Sequence, residues 1–239
     1  MLKPILLLSA LCWSACSCAA IQILATRVIL YEAEKEQSFT IRNTGDAPSL
    51  VQIWLSKKDN SSMNITDDIP LAIMPPIARI NAGSSKVFRF FPTEKASAAL
   101  PADRESMFWI NALDVPAVDD ENVAENKLNI AFRTRIKAFY RPSGIKGTLI
   151  EAGENLQWSM SKEANNLVYT VNNNSPYHIS VVDFSLKKGE ETISSLPGDV
   201  IAPWEIKKYK FKNVSDSSAS LNYQYISDLG AYIPKRIVL

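Results

Sequence analysis

The chain has 239 residues, with 26 Lys and Arg, 25 Asp and Glu and one His. That length suffices for one large β domain or two ordinary ones, and a formal net charge of +1 gives no support to nucleic-acid or polybasic membrane binding. The single histidine, and three cysteines confined to Cys12, Cys16 and Cys18, exclude a His-rich zinc site and leave no thiol for Cys–His catalysis further along. The eight glycines form no phosphate-binding loop.

Residues 1–20 read as a secretory signal. Lys3 is the positive start, Ile5 to Leu11 the short apolar region, and Ser17-Cys18-Ala19-Ala20 the small residues before cleavage, placed after Ala20. The apolar run is too short to span a bilayer, and none of the three cysteines has a Leu three residues upstream as a lipoprotein site would. Loss of Lys3 leaves 25 basic and 25 acidic residues. No cysteine remains after cleavage, so core burial alone must hold the exported chain together.

Short alternating runs follow between turn residues: Ser38 to Arg42, Leu50 to Leu55, Lys86 to Phe91 stopping at Pro92, and Ser106 to Asn111. No run keeps a helical period, and most of the thirteen prolines fall at run ends. This pattern predicts antiparallel sandwiches. The acidic stretch Asp114 to Lys127, with Asp119-Asp120-Glu121 and Glu125, reads as a short loop.

The stretch from Leu128 to Pro142 is the most informative. Leu128, Ile130, Phe132, Thr134, Ile136 and Ala138 share one face; Arg133, Arg135 and Lys137 lie on the other. An ordinary strand with a wet face explains this, as does a strand offered to another protein. Arg141-Pro142-Ser143-Gly144 breaks the pattern and suits a boundary. Strand signals then restart at Leu167 to Val171, Ile179 to Phe184, Tyr209 to Phe211 and Leu221 to Ile226. The expected division is a signal over 1–20 and two β-sandwich domains over 21–141 and 142–239, with a cleft between them.

The run Leu100-Pro101-Ala102-Asp103-Arg104-Glu105-Ser106-Met107-Phe108-Trp109-Ile110-Asn111-Ala112-Leu113-Asp114-Val115-Pro116-Ala117 closely resembles the signature of periplasmic pilus-assembly chaperones, the PapD-like family. Ala112 departs from it, standing where a larger aliphatic is usual. The resemblance also covers Thr26 to Ile29, Met74-Pro75-Pro76 with Arg79, Phe139-Tyr140-Arg141-Pro142, Asn174-Ser175-Pro176-Tyr177 and Tyr225 to Gly230. It implies an all-β boomerang of two immunoglobulin-like domains that binds pilus or fimbrial subunits in the periplasm. Such a chaperone fills the subunit's missing strand by donor-strand complementation and delivers it to an outer-membrane usher. No reaction is catalysed, and no cofactor, metal, nucleic acid or small-molecule substrate is implied. The short acidic loop and missing cysteine pair favour the short-loop subfamily.

Carried over residue by residue, the resemblance makes Arg27 and Lys137 the cleft cations that grip the subunit's C-terminal carboxylate. Charge-assisted bonds of this kind contribute roughly 1.5–3 kcal/mol each, against about 0–1 kcal/mol for solvated strand cations. Leu128, Ile130 and Phe132 become donor residues, whose burial in a partner contributes roughly 5–9 kcal/mol; the plain alternative is that they face the chain's own core. Their parity is opposite to that of Lys137, so stripe and anchor cannot share one flat face; strand twist or a bulge are the two ways to reconcile them. Glu105, Arg141 and Asp228 become a structural ion-pair network fixing the hinge. An exposed apolar strand also invites self-association of the free protein.

Two other classes compete. A Ser–His–Asp enzyme must use His178, which sits at a strand start where a structural role is the rule. An exported two-domain immunoglobulin-like adhesin or binding protein would use Asn60-Ser61-Ser62, Asn64-Ile65-Thr66, Asn173-Asn174-Ser175 and Asn213-Val214-Ser215 as glycan acceptors in a eukaryotic setting, but needs neither the signature nor the cleft cations.

Overall fold

The computed structural model describes residues 21–57, 68–116, 130–214, 216 and 218–239. The proposed signal, Leu128, the loop residues Asp119 to Glu125 and the triplets at Asn60 and Asn64 lie outside them.

Among the described residues, nine strands build the first unit: β1 (Ile21–Ile23), β2 (Arg27–Tyr31), β3 (Gln37–Asn43), β4 (Ser49–Ser56), β5 (Leu71–Met74), β6 (Ile77–Ile80), β7 (Ser85–Pro92), β8 (Ser106–Pro116) and β9 (Phe132–Arg141), with a one-turn helix α1 (Ala96–Ala99) between β7 and β8. They form two sheets, ordered β1-β3-β7-β5 and β2-β9-β8-β4-β6. The inward residues of both sheets, among them Leu30, Ile41, Val51, Phe88, Phe90, Ile110 and Ala138, make one core. This is the sandwich that the alternation predicts: one face of each strand is apolar and must be covered by the other sheet.

The second unit begins with helix α2 (Leu149–Glu154). Thr148 and Glu151 close a reciprocal capping box at its start. The strands are β10 (Gln157–Glu163), β11 (Asn166–Asn172), β12 (Ile179–Lys188), β13 (Glu191–Pro197), β14 (Val200–Ile201), β15 (Ile206–Phe211), β16 (Ser220–Ile226) and β17 (Tyr232–Ile237). Their sheets run β10-β11-β15 and β13-β12-β16-β17, with β14 beside β12. A separate core includes Leu167, Tyr169, Phe184, Leu186, Phe211 and Leu221. The fold is therefore all-β with two immunoglobulin-like sandwiches, as the residue pattern and the resemblance imply.

Two strand ends meet between the units. β2 lies parallel to β9 at the edge of its sheet, with Arg27 opposite Lys137 and Tyr31 opposite Arg141. The turn between β16 and β17 packs back onto the first unit at Gly230. Gly230 has φ +81°, and a Cβ there would stand 2.8 Å from the Thr26 hydroxyl, so this turn approaches Thr26 only because it carries no side chain.

Candidate functional site: the cleft between the sandwiches

Strand parity explains the site. On β2 and β9, Val28, Leu30, Ile136, Ala138 and Tyr140 point into the first core. Arg27, Tyr31, Lys137, Phe139 and Arg141 alternate with them and so lie on the outer face. That face meets the second domain: the Phe139 ring stands 5.9 Å from His178. Arg27 and Lys137 are register partners across the parallel pair, which puts two cations side by side, about 5 Å apart at the backbone.

The two cations are held differently. The Arg27 guanidinium lies over the Phe139 ring at 5.8 Å, and its Nη1 donates to the Ile226 carbonyl of the second domain at 3.2 Å. Its Nε is buried with no hydrogen-bond partner among the described residues. Burial pushes the Arg27 pKa down from its ordinary value, while Asp228 and Glu105 work to keep it charged. A desolvated cation with an unanswered donor is prepared for an anion. Lys137 Nζ stands 5.5 Å above the Trp109 ring, and Arg135 lies 5.4 Å from the same ring.

β9 pairs with β8 in one unbroken register from Asp114 opposite Phe132 to Ser106 opposite Tyr140. No bulge rephases it, so the apolar stripe and Lys137 stay on opposite faces of one strand. They are reconciled by length: β2 accompanies β9 only from Lys137 onward, and no described strand runs beside the outer edge of Phe132–Ile136. The core ends near Ile136, and the even-numbered β9 residues before it, Phe132 and Thr134, are exposed. Ile130 is 52 % exposed and Phe132 61 % exposed.

Arg141, Glu105 and Asp228 meet at the base of the cleft. Arg141 Nε and Nη2 donate to Glu105 Oε1 at 3.0 and 2.7 Å. Nη1 and Nη2 donate to Asp228 Oδ2 and Oδ1 at 2.8 and 3.0 Å, a bidentate pair. Nη1 also reaches the Tyr31 hydroxyl at 3.2 Å, so all five N–H groups are used. Burial works against the Arg141 charge, but the bonds from Asp228 and Glu105 outweigh it and raise its pKa above the ordinary value.

Sequence reasoning missed three participants. The backbone N–H of His178 donates to Glu105 Oε2 at 2.9 Å, and its Nδ1 lies 3.1 Å from the same oxygen. His178 thus answers the Glu105 oxygen that Arg141 does not reach. Tyr31 and Tyr177 cover the Arg141 guanidinium, with ring centroids at 5.2 and 4.9 Å. The lone histidine directly after Pro176-Tyr177 was the available signal. Asn173 bears on the competing adhesin reading. Its side chain is buried and donates to the Tyr177 and Ala202 carbonyls, both at 2.8 Å, so it shapes this loop and is no accessible glycan acceptor.

A two-sandwich protein with a cationic cleft and a protruding edge strand is a scaffold for holding another chain. The family models agree. Residues 20–146 match the pili and flagellar-assembly chaperone PapD N-terminal domain, and residues 151–237 match the pili assembly chaperone PapD C-terminal domain. The chain belongs to this chaperone family. It is 37 % identical over 237 residues to the probable fimbrial chaperone YadV of Escherichia coli K12, covering 94 % of each chain. It is 30 % identical over 217 residues to the chaperone protein FimB/FhaD of Bordetella pertussis, covering 90 % of this chain and 86 % of that one. The crystal structure of the YadV chaperone superposes with a TM-score of 0.76 at 34 % identity, over 92 % of this chain and 100 % of that one. A chain from the Salmonella enterica complex of SafA pilin with the SafB chaperone superposes at 0.73 with 25 % identity, over 94 % of this chain and 99 % of that one.

Proposed function

We propose that this protein is a periplasmic chaperone that captures pilus or fimbrial subunits by donor-strand complementation and delivers them to an outer-membrane usher. The observation that carries the reading is a single strand, β9. Its first half stands beyond the end of β2 with Phe132 exposed and Ile130 exposed just before it, and its second half brings Lys137 beside Arg27. A subunit lacking one strand gains backbone pairing and apolar contacts from the first half. Its C-terminal carboxylate is gripped by the two cations. Glu105, Arg141 and Asp228 hold the domains at the angle that keeps the cleft open; this role is structural. Leu128 extends the donor stripe. Export follows cleavage after Ala20, and the mature protein comprises the domains 21–141 and 142–239, of the short-loop type. The protein's task is binding rather than catalysis.

The test is a periplasmic pull-down with C-terminally tagged protein, wild type beside Lys137→Ala and Arg27→Ala, with co-purifying chains identified by mass spectrometry. Wild type is expected to bring down β-rich secreted subunits at about equal stoichiometry. Each variant is expected to fold, by circular dichroism, and to come alone. Normal capture by either variant would overturn the anchor.

A further inference from the structure

The cleft has a second wall, built by the second domain, to which the anchor and donor strand assign nothing. The cavity between the domains measures about 550 Å³, and Lys137 shares it with Trp109 and Met107 on one side and Val182, Ile226 and Tyr232 on the other. Tyr232 opens β17 opposite Ile226 and is 64 % exposed. Val182 is held out by an irregularity in β12, whose pairing with β16 shifts register between Val181 and Phe184. Val182 is 38 % exposed. Gly198 makes this possible: a Cβ on it would lie 2.1 Å from the Val182 carbonyl oxygen. Backbone detail is thus arranged to present apolar side chains to the cleft from the second domain. Such groups find no reward in water, and a patch of this kind marks a contact.

We propose that Tyr232, Ile226 and Val182 seat a large apolar or aromatic side chain from the last two residues of the bound subunit, so that the chaperone reads the subunit's terminal residues as well as its carboxylate. The inference rests on the carboxylate anchor proposed above. Side chains of a strand laid beside β9 alternate between its two faces. Those sharing the face of Lys137 and Phe139 point toward the second domain, as the Phe139 contact with His178 shows. With the carboxylate held between Arg27 and Lys137, whichever of the last two side chains shares the face of Lys137 is directed toward this cavity. The charges there select its chemistry. Two lysines, Lys57 and Lys137, line the cavity, and its Asp199 carboxylate is already bound by Lys207 at 2.7 Å. A lysine or arginine side chain therefore gains nothing to offset its desolvation, whereas a tyrosine or leucine gains the area buried against Trp109 and Tyr232.

The test uses the whole mature chaperone and synthetic strand peptides of alternating valine and threonine with a solubilising N-terminal tail. The last two residues are set to Tyr-Tyr, Leu-Leu, Ala-Ala or Lys-Lys with free carboxylates, and one Tyr-Tyr peptide is amidated. Binding is read by fluorescence anisotropy for wild type, Tyr232→Ala and Tyr232→Phe. Wild type is expected to prefer Tyr-Tyr and Leu-Leu ends over Ala-Ala and Lys-Lys by about tenfold, the scale of burying one apolar side chain. Tyr232→Ala should flatten that preference yet still lose binding on amidation, and Tyr232→Phe should restore it. If wild type and Tyr232→Ala rank the ends alike while amidation still weakens both, the second wall reads nothing and the proposal is overturned. If amidation has no effect, or no peptide binds, the carboxylate anchor itself is wrong and the proposal falls with it. Tyr232 is exposed, so its replacement leaves the second core intact.

Discussion

The two halves of β9 obey the same alternation and do opposite things. From Ile136 to Arg141 the even residues fill the first core and the odd ones face the second domain. There Phe139 is buried against His178, and Arg141 is committed to Glu105 and Asp228. From Phe132 to Ile136 the pairing with β8 continues unchanged, but β2 has ended and the core has run out, so Phe132 is left exposed. On the proposed reading, a strand becomes available to a partner here without any change in its own conformation. Only its neighbours stop. The anchored half also makes the other half useful, because a rigid, correctly phased edge imposes less ordering cost on binding than a mobile one.

If that division is right, substitutions of the buried residues on the anchored half cost stability and those on the protruding half cost capture, while the outward-facing Lys137 remains a capture residue. The largest expected loss is from Arg141→Ala. It strands Glu105, whose side chain is 1 % exposed, and breaking a buried pair in this way costs about 3–5 kcal/mol. Urea unfolding should report it, with Arg141→Lys giving poor rescue because an ammonium cannot reproduce the fork that serves both carboxylates. An unfolding midpoint like that of wild type would mean the network carries no load. Next comes Ile136→Ala, which removes a core side chain at the end of the anchored half and should cost about 2–5 kcal/mol. Tryptophan fluorescence can follow the first domain through Trp54 and Trp109, provided Trp158 and Trp204 of the second domain are replaced by phenylalanine. Gly230→Ala should cost about 1–3 kcal/mol from the strained φ and the Thr26 contact. Its marker is that Thr26→Ala, by removing the contact, recovers part of the loss; no recovery would place the strain in the turn alone.

Much of this was legible in the residues. Strands that alternate and bury one face, such as β3, β4, β7 and β16, announce themselves, because the period-two signal and the burial have the same cause. The strands without such runs are those at sheet edges. β10 and β13 read Gln-Trp-Ser-Met-Ser-Lys-Glu and Glu-Thr-Ile-Ser-Ser-Leu-Pro, and β17 carries Pro234. Edge strands are kept polar or proline-marked to discourage unwanted pairing, which erases the signal used to find them. The site divides in the same way. Lys137 and the stripe lie on one strand, where spacing speaks. Arg27 and Lys137 become partners only through a parallel pairing that joins distant parts of the chain. His178 joins Glu105 across the domain boundary, and no local pattern encodes that contact. The opposed parity of stripe and anchor left strand twist or a bulge open; the structure has no bulge in the pairing of β9 with β8, and the strand is longer than its core.

The smallest expected change in stability makes the sharpest test of the two halves. Phe132 is the first residue of β9 and stands opposite Asp114, whose carboxylate accepts a hydrogen bond from the Ser49 hydroxyl in a buried contact. The backbone at this point is therefore held by β8 and does not depend on the Phe132 ring, which is largely in water. Phe132→Ala should shift unfolding by no more than about 0.5 kcal/mol, as for other surface positions. The same ring buried in a partner contributes roughly 1.5–3 kcal/mol, so capture should weaken by about tenfold or more. Ile130→Asp, one pleat further out, should block capture while leaving a folded monomer. The comparison with Ile136→Ala decides the matter, since Ile136 and Phe132 share one face of one strand, four residues apart. If Phe132→Ala destabilises the free protein as Ile136→Ala does, the apolar stripe belongs to the chaperone's own core along its whole length, and β9 has nothing left to lend.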